Sequence, residues 1–298
     1  MSEVVCKLPR AGLGNQLFPL MKAYTFGYLN KLPVTVIGYH QFKIGPYLRR
    51  EKTKRRYRGF FVFQKNMLAE RLDSLRVLNK KFEMIAEPPV HVMNEANATK
   101  KRYLFREIPH WDHYFDGLKE HRQLVIELFW KMLSGSVKKK IQALQSPCIG
   151  VHIRMGDFRK MHEGEDFSKL GIVRTPEQYF VDVINNIREI HGSVLPVHVF
   201  TDGYRHEFVE LFKLENITMV EGNSDIIDLL LLSKSRIIVT SATSTFSYWS
   251  AFLSDAIVIM HPDQINIAIR PEYTNGKLYQ GIADANNLQF VDSVRNIT

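Results

Sequence analysis

The C-terminal half of the chain reads as an α/β fold with a doubly wound parallel sheet, and three observations predict it. Short apolar, β-branched runs recur at residues 148–153, 197–200, 217–220, 236–240 and 256–260. Capped or amphipathic helical stretches separate them, and that alternation calls for parallel pairing through right-handed crossovers. Successive runs also end in polar residues, His152 and Arg154, then Asp202, then Ser244 and Thr245. Ligands bind in the crevice at the carboxyl ends of such strands, so these residues are expected to line one crevice despite their separation in sequence.

Taken in order, residues 4–8 read as a strand, followed by the glycine turn Gly12-Leu13-Gly14-Asn15 and a helix to about residue 29. Strand, glycine turn and helix open a nucleotide-type βα unit. The glycines let backbone approach a ligand, and the helix start offers N–H groups to an anion. Residues 32–37 suggest a second strand and 67–82 a helix, which Glu87-Pro88-Pro89 would break. Residues 97–102 read as an exposed loop. Residues 108–115, dense in aromatic rings, suit either packing or stacking on a sugar face. A helix is expected over 117–133 and a linker over 134–140 and 145–147. Beyond the strand at 148–153 comes a polar loop, 157–174. Thr175-Pro176-Glu177-Gln178 then carries helix-start signals, with Thr175 as N-cap. Helices are also expected at 205–213, at 225–232 behind a Ser224 cap, and at 246–253.

Composition narrows the classes. The hydrophobic share is 45% and the net charge +9, as befits a folded protein of 298 residues. No run approaches the roughly 18–20 apolar residues that cross a bilayer. The start lacks a secretory pattern, so a cytoplasmic location is expected. Cys6 and Cys148 are expected as reduced thiols, and without CxxC or HExxH no structural zinc site is expected. Arg49, Arg50, Lys52, Lys54, Arg55, Arg56 and Arg58 crowd one window. It reads as a solvated loop, as a peripheral contact with an acidic membrane surface, or as a nucleic-acid contact, the last without any RNA-binding signature around it.

The polar cluster at 149–157 carries the chemistry. A β-branched strand runs into His152, Arg154, Gly156 and Asp157. Arginine grips phosphate through parallel N–H donors.

These motifs resemble a known family. Residues 12–18 (GLGNQLF), 152–157 (HIRMGD), 175–179 (TPEQY), 221–233 (EGNSDIIDLLLLS) and 244–249 (STFSYW) occur in the order seen in the α-1,2-fucosyltransferases of glycosyltransferase family 11. Met155 and Tyr248 depart from the Arg and Trp that bacterial members commonly carry there. The resemblance implies a GT-B fold of two Rossmann-like domains facing across a cleft. Residues 1–145 would form the acceptor-side domain and 146–298 the GDP-sugar-binding domain, with the last helix packing back on the first. It implies GDP-fucose as donor substrate, a glycan acceptor such as the O2 of a galactoside, inversion at the anomeric carbon, and no cofactor or metal. A signal-less member fits a bacterial enzyme of polysaccharide biosynthesis, peripheral at the inner membrane.

On that reading Arg154 stabilises the leaving diphosphate. Gly14, Ser244, Thr245 and the backbone N–H of Phe246 would hold the donor, with His152 and Asp202 on the guanosine. Asn15 resembles an active-site Asn of the protein O-fucosyltransferases. Asp157, Glu163, Glu165 and Asp166 are candidate bases, Asp157 equally a group that orients Arg154. The competing readings are a GT-B transferase using GDP-mannose or GDP-L-galactose, a non-catalytic glycan- or nucleotide-binding protein, and a glycoside hydrolase. The last needs facing carboxylates, whereas this cluster is cationic.

Overall fold

The computed structural model describes residues 1–41, 44–48, 51–52, 54–78, 82–93, 100–162, 164–167, 173–264, 268–271 and 278–297. The chain divides into two compact units, Met1–Lys43 with Arg56–Lys139, and Ile44–Arg55 with Lys140–Thr298. Each is α/β with a wholly parallel sheet.

In the first unit β1 (Glu3–Lys7) leads through the glycine turn into α1 (Leu13–Leu29) and β2 (Val34–Ile37). The short helix α2 (Gly45–Leu48) belongs to the second unit. The first resumes with α3 (Met67–Val77), β3 (Glu83–Ala86), β4 (Lys101–Phe105) and α4 (Arg122–Met132), while α5 (Gly135–Ala143) spans the boundary. The sheet order is β2-β1-β4-β3.

Several expectations need correction here. The helix expected to residue 82 ends at Val77, β3 stands where no strand was expected, and β4 takes residues 101 and 102 of the expected loop, of which 97–99 lie outside the described residues. Arg102 lies inside β4, only 1% exposed, because Glu3 on the neighbouring strand neutralises it through Nε (2.8 Å) and Nη2 (2.6 Å). Residues 134–140 fall largely in α5, and the helix expected from 117 starts at Arg122. In the aromatic run Tyr114 stacks on Phe18 and Phe115 is buried, so packing claims these two, while Trp111 stays 47% exposed.

The second unit contains β5 (Ile149–Ile153), α6 (Glu177–His191), β6 (Val197–Thr201), β7 (Ile217–Met219), α7 (Asp225–Ser233), β8 (Ile237–Val239), α8 (Thr245–Phe252), β9 (Ile257–Ile259), β10 (Gln280–Gly281) and α9 (Leu288–Arg295). The sheet order β10-β9-β8-β5-β6-β7 puts β5 inside, buried along its whole length. A strand covered on both faces reads as a continuous apolar run, which is why it was plain in the sequence. Gly150 allows α7 to close on β5: a Cβ there would stand 2.3 Å from Ser235 Oγ and 2.7 Å from Leu232 Cδ1. The last helix, expected to pack back on the first unit, puts Phe290 and Val294 into the core shared with α6, beside Ile184 and Ile187. Residues 205–213 form two short 3-10 turns in place of one helix, as Leu211 N donates to Glu177 Oε1 and Arg205 lies over the Phe212 ring.

Both cysteines are free, and burial in β1 raises the Cys6 thiol pKa. No helix among the described residues is long and apolar enough to cross a membrane.

The Glu3–Arg102 pair yields a stability prediction. Glu3→Gln leaves a buried guanidinium without its charge partner and is expected to cost about 3–5 kcal/mol, measured by urea unfolding of the full chain.

Candidate active site

The second unit gathers the predicted polar residues at the carboxyl edge of its sheet. β5 and β6 pair in register, Ile153 opposite Thr201, so the residues that follow each strand emerge side by side. Arg154 follows β5 and Asp202 follows β6. Arg154 Nη1 donates to Asp202 Oδ2 at 2.5 Å and Nη2 to Asp157 Oδ1 at 2.6 Å. The Met155 N–H takes the other Asp202 oxygen at 2.8 Å. Asp202 therefore orients the guanidinium in this state. Gly156 makes the turn fit: a Cβ there would lie 2.4 Å from Asp202 Oδ2.

Hydroxyls fix the neighbouring backbone. Ser241 Oγ accepts from Arg154 N at 2.9 Å and donates to His152 O at 2.8 Å, tying the loop after β8 to the end of β5. Thr175, expected to cap α6, sits one residue too early for that. The helix starts at Glu177, and Thr175 Oγ1 accepts from Ala242 N at 3.0 Å. Thr243 adopts a positive φ of 57°, and its N–H reaches the buried Tyr248 hydroxyl at 2.9 Å. Ser244 stands at the N-cap of α8 without a side-chain capping bond; its Oγ instead faces His152 Nδ1 at 3.4 Å. The backbone bond Tyr248 N to Ser244 O follows, so the amides of Thr245, Phe246 and Ser247 lie in the first turn, where helices leave donors uncommitted. Phe246 stacks on the His152 ring, centroids 4.8 Å apart. Burial pushes the His152 pKa down to about 3; Asp202 opposes this and Arg154 adds to it, so the imidazole is neutral near pH 7.

Two of the candidate bases, Asp157 and Glu165, are held as anions. Burial alone would raise the Asp157 pKa, but Arg154 and Arg55 outweigh it and the pKa is lowered. Glu165 forms a double ion pair with Arg159, at 2.6 and 2.7 Å, and its pKa falls to about 2. Glu163 lies outside the described residues. Gly14 and Asn15 belong to the first unit, in the first turn of α1; there Asn15 Oδ1 is buried without a hydrogen-bond partner. Within the basic window, Arg49 and Arg50 lie outside the described residues. Lys52 bonds Glu221 Oε1 at 2.8 Å and Lys54 the Glu51 carbonyl at 2.6 Å.

One residue escaped the sequence reading. Asp228, in the first turns of α7, has a buried Oδ1 with no hydrogen-bond partner, although Asn223 bonds the carboxyl group. Burial pushes its pKa up to about 7. A carboxylate within an otherwise leucine-rich helix was the available signal.

The family model described as Glycosyl transferase family 11 matches residues 4–270. No curated protein matches the chain. Similar solved structures include NodZ alpha-1,6-fucosyltransferase co-crystallised with GDP: 16% identity, 87% of this chain, 95% of that one, TM-score 0.51. Fucosyltransferase NodZ from Bradyrhizobium matches at 14% identity, with coverage of 87% and 96% and a TM-score of 0.50. An Arabidopsis thaliana FUT1 mutant in complex with GDP matches at 14%, with coverage of 91% and 72% and a TM-score of 0.47. At such identities the likeness to NodZ is one of fold.

The buried Asp228 carboxylate predicts a pH-dependent stability. Its folded pKa, about 7, stands above the unfolded value near 3.8, so ionisation opposes folding. The penalty is complete above pH 7 and fades as pH falls toward 4. Asp228→Asn is therefore expected to unfold later than the wild type at pH 8, by on the order of 1–3 kcal/mol. Denaturant melts across this pH range are expected to show the gap closing at low pH.

Proposed function

Since the chain belongs to glycosyl transferase family 11, the α-1,2-fucosyltransferase family, and has a GT-B-like α/β fold with parallel sheets of four and six strands, we propose that it moves L-fucose from GDP-fucose to a glycan hydroxyl, the O2 of a galactoside, with inversion and without a metal ion. NodZ, which shares the fold, was crystallised with GDP.

The observation that carries this reading is a guanidinium fixed by two carboxylates beside the first turn of α8. In the transfer the bond from the fucose anomeric carbon to the β-phosphate oxygen breaks, and its electrons stay on that oxygen. The acceptor oxygen bonds the anomeric carbon from the opposite face and passes its proton to a carboxylate base, for which Asp157 is the candidate. Charge thus grows on the β-phosphate, where a preorganised Arg154 favours the transition state over the bound donor. Asp157 and Asp202 are already engaged by guanidinium groups, which supports a cationic side chain in the role a divalent ion fills elsewhere. The amides of Thr245 and Phe246, with the Ser244 hydroxyl, suit the phosphates.

For guanosine, the stacked His152–Phe246 pair offers an aromatic wall. Asp228 offers an unfilled acceptor for a guanine N–H edge, and Asp202, the acceptor expected from the sequence, keeps a lone pair on each oxygen beyond those that accept from Arg154 and Met155. Within the first unit taken by itself, Asn15 keeps an unfilled buried oxygen and Trp111 an exposed ring, groups suited to a sugar hydroxyl and a sugar face.

Arg154→Lys and Arg154→Ala are expected to cost about 3–4 kcal/mol of barrier, roughly 10²–10³-fold in kcat, with an unchanged circular dichroism spectrum. The assay is GDP release from GDP-fucose with a galactoside acceptor, in the presence of EDTA. Wild-type turnover in either variant, or faster turnover with GDP-mannose than with GDP-fucose, would overturn the reading.

A further inference from the structure

The densest charge in the sequence, the window 49–58, is not all solvated fringe: Arg56 and Arg58 are exposed, but Lys52, Lys54 and Arg55 are partly buried. Segment Ile44–Arg55 folds with the second unit although its neighbours on both sides belong to the first. Lys52 reaches Glu221, approaches the Gly203 carbonyl at 3.4 Å, and lies 5.8 Å from the centre of the Tyr204 ring. Arg55 goes deepest. Its φ of 49° is a left-handed conformation that few residues other than glycine, Asn and Asp adopt. Such outliers persist where the surrounding structure demands them, and they cluster at ligand sites.

The Arg55 side chain is 9% exposed. Its Nη2 stands 2.8 Å from Glu51 Oε2 and 3.2 Å from Asp157 Oδ1, the same oxygen that Arg154 Nη2 bonds. Close as they are, neither contact is an aligned hydrogen bond, and Nη2 is a buried donor with none. A Cβ at Gly156 would lie 3.5 Å from this nitrogen as well as against Asp202, so Arg55 and the carboxylate that holds Arg154 meet over one glycine, and the two guanidinium groups meet at Asp157 Oδ1.

We propose that Arg55 is a second phosphate-binding cation of the donor site, giving its uncommitted Nη2 donor to a β-phosphate oxygen while Arg154 holds another. The assignment rests on the function proposed above. Two features favour phosphate over simple anchoring of the segment. A buried cation with an unfilled donor gains a strong charge-assisted bond from an incoming anion. Exchanging Glu51 for a phosphate oxygen also sacrifices no aligned hydrogen bond, since Nη2 makes none. In the transfer itself Arg55 shares the charge that grows on the departing diphosphate and moves no proton.

Calorimetric titration with GDP and GMP separates the roles, because the two ligands differ only in the β-phosphate. Arg55→Gln is expected to lower GDP affinity about tenfold to a hundredfold and leave GMP affinity unchanged. Arg55→Lys is expected to recover only part of the preference, lacking the planar fork, and carries the same comparison if Arg55→Gln fails to fold. Glu51→Gln is expected to keep the preference for GDP. Equal losses for GDP and GMP at Arg55, or a loss in Glu51→Gln as large as that in Arg55→Gln, would make Arg55 an anchor and overturn the assignment. Absence of GDP binding by the wild-type protein would instead overturn the donor reading, and this assignment with it.

Discussion

A guanidinium clamped between carboxylates from two neighbouring strand ends is the constraint on which the second unit is built. Parallel pairing of β5 with β6 brings Arg154 and Asp202 out at the same edge, and the tight turn through Gly156 returns Asp157 to the same group. Arg154 is thereby held before any ligand arrives. A preorganised charge needs no rearrangement when negative charge develops beside it, and this is how such groups contribute most to catalysis. The cost is a cluster of charges kept from water, tolerable only because each has an opposite charge within reach.

Around the clamp, buried hydroxyls replace the regular hydrogen bonds that irregular backbone lacks. Ser241 joins β5 to the turn after β8, Thr175 holds Ala242, and Tyr248 braces the positive-φ Thr243. Three segments distant in sequence are thereby tied together at the start of α8. The neutral His152 completes the packing under Phe246, its burial favouring the uncharged ring. Stability is surrendered at Asp228, whose buried carboxyl lacks a full set of partners and is penalised when it ionises. Such trade-offs are expected where a fold keeps a binding group ready.

Much of this was legible in the sequence, for a physical reason. β5, β6, β8 and β9 lie in the interior of the second sheet, so their residues are mostly apolar and β-branched, and the polar residues that follow them mark where the sheet stops. Arg154, Asp157, Asp202 and Ser244 could be found from that pattern alone. β4 could not, because Lys101 and Arg102 look like a surface loop until Glu3, 99 residues away, supplies the opposite charge. Residues 138–140, all lysine, resemble a linker but continue α5, in whose last turn Lys140 suits the helix dipole. Arg55 was hidden for a different reason. A window of seven cations reads as solvated charge, and only tertiary structure shows Arg55 buried against Glu51 and Asp157. Asp228 sat inside a leucine run whose helical period drew the attention.

The excursion of Ile44–Arg55 bears on how the molecule is made. A ribosome releases this strip of chain long before Lys140–Thr298, the remainder of the unit to which it belongs. The first unit can form its sheet as it emerges, but the strip must wait, unfolded and cationic, for partners synthesised later. The halves are therefore not separable modules. A fragment beginning at Lys140 would lack part of its own unit, and recombining such halves between relatives would have to carry this strip along with the C-terminal piece.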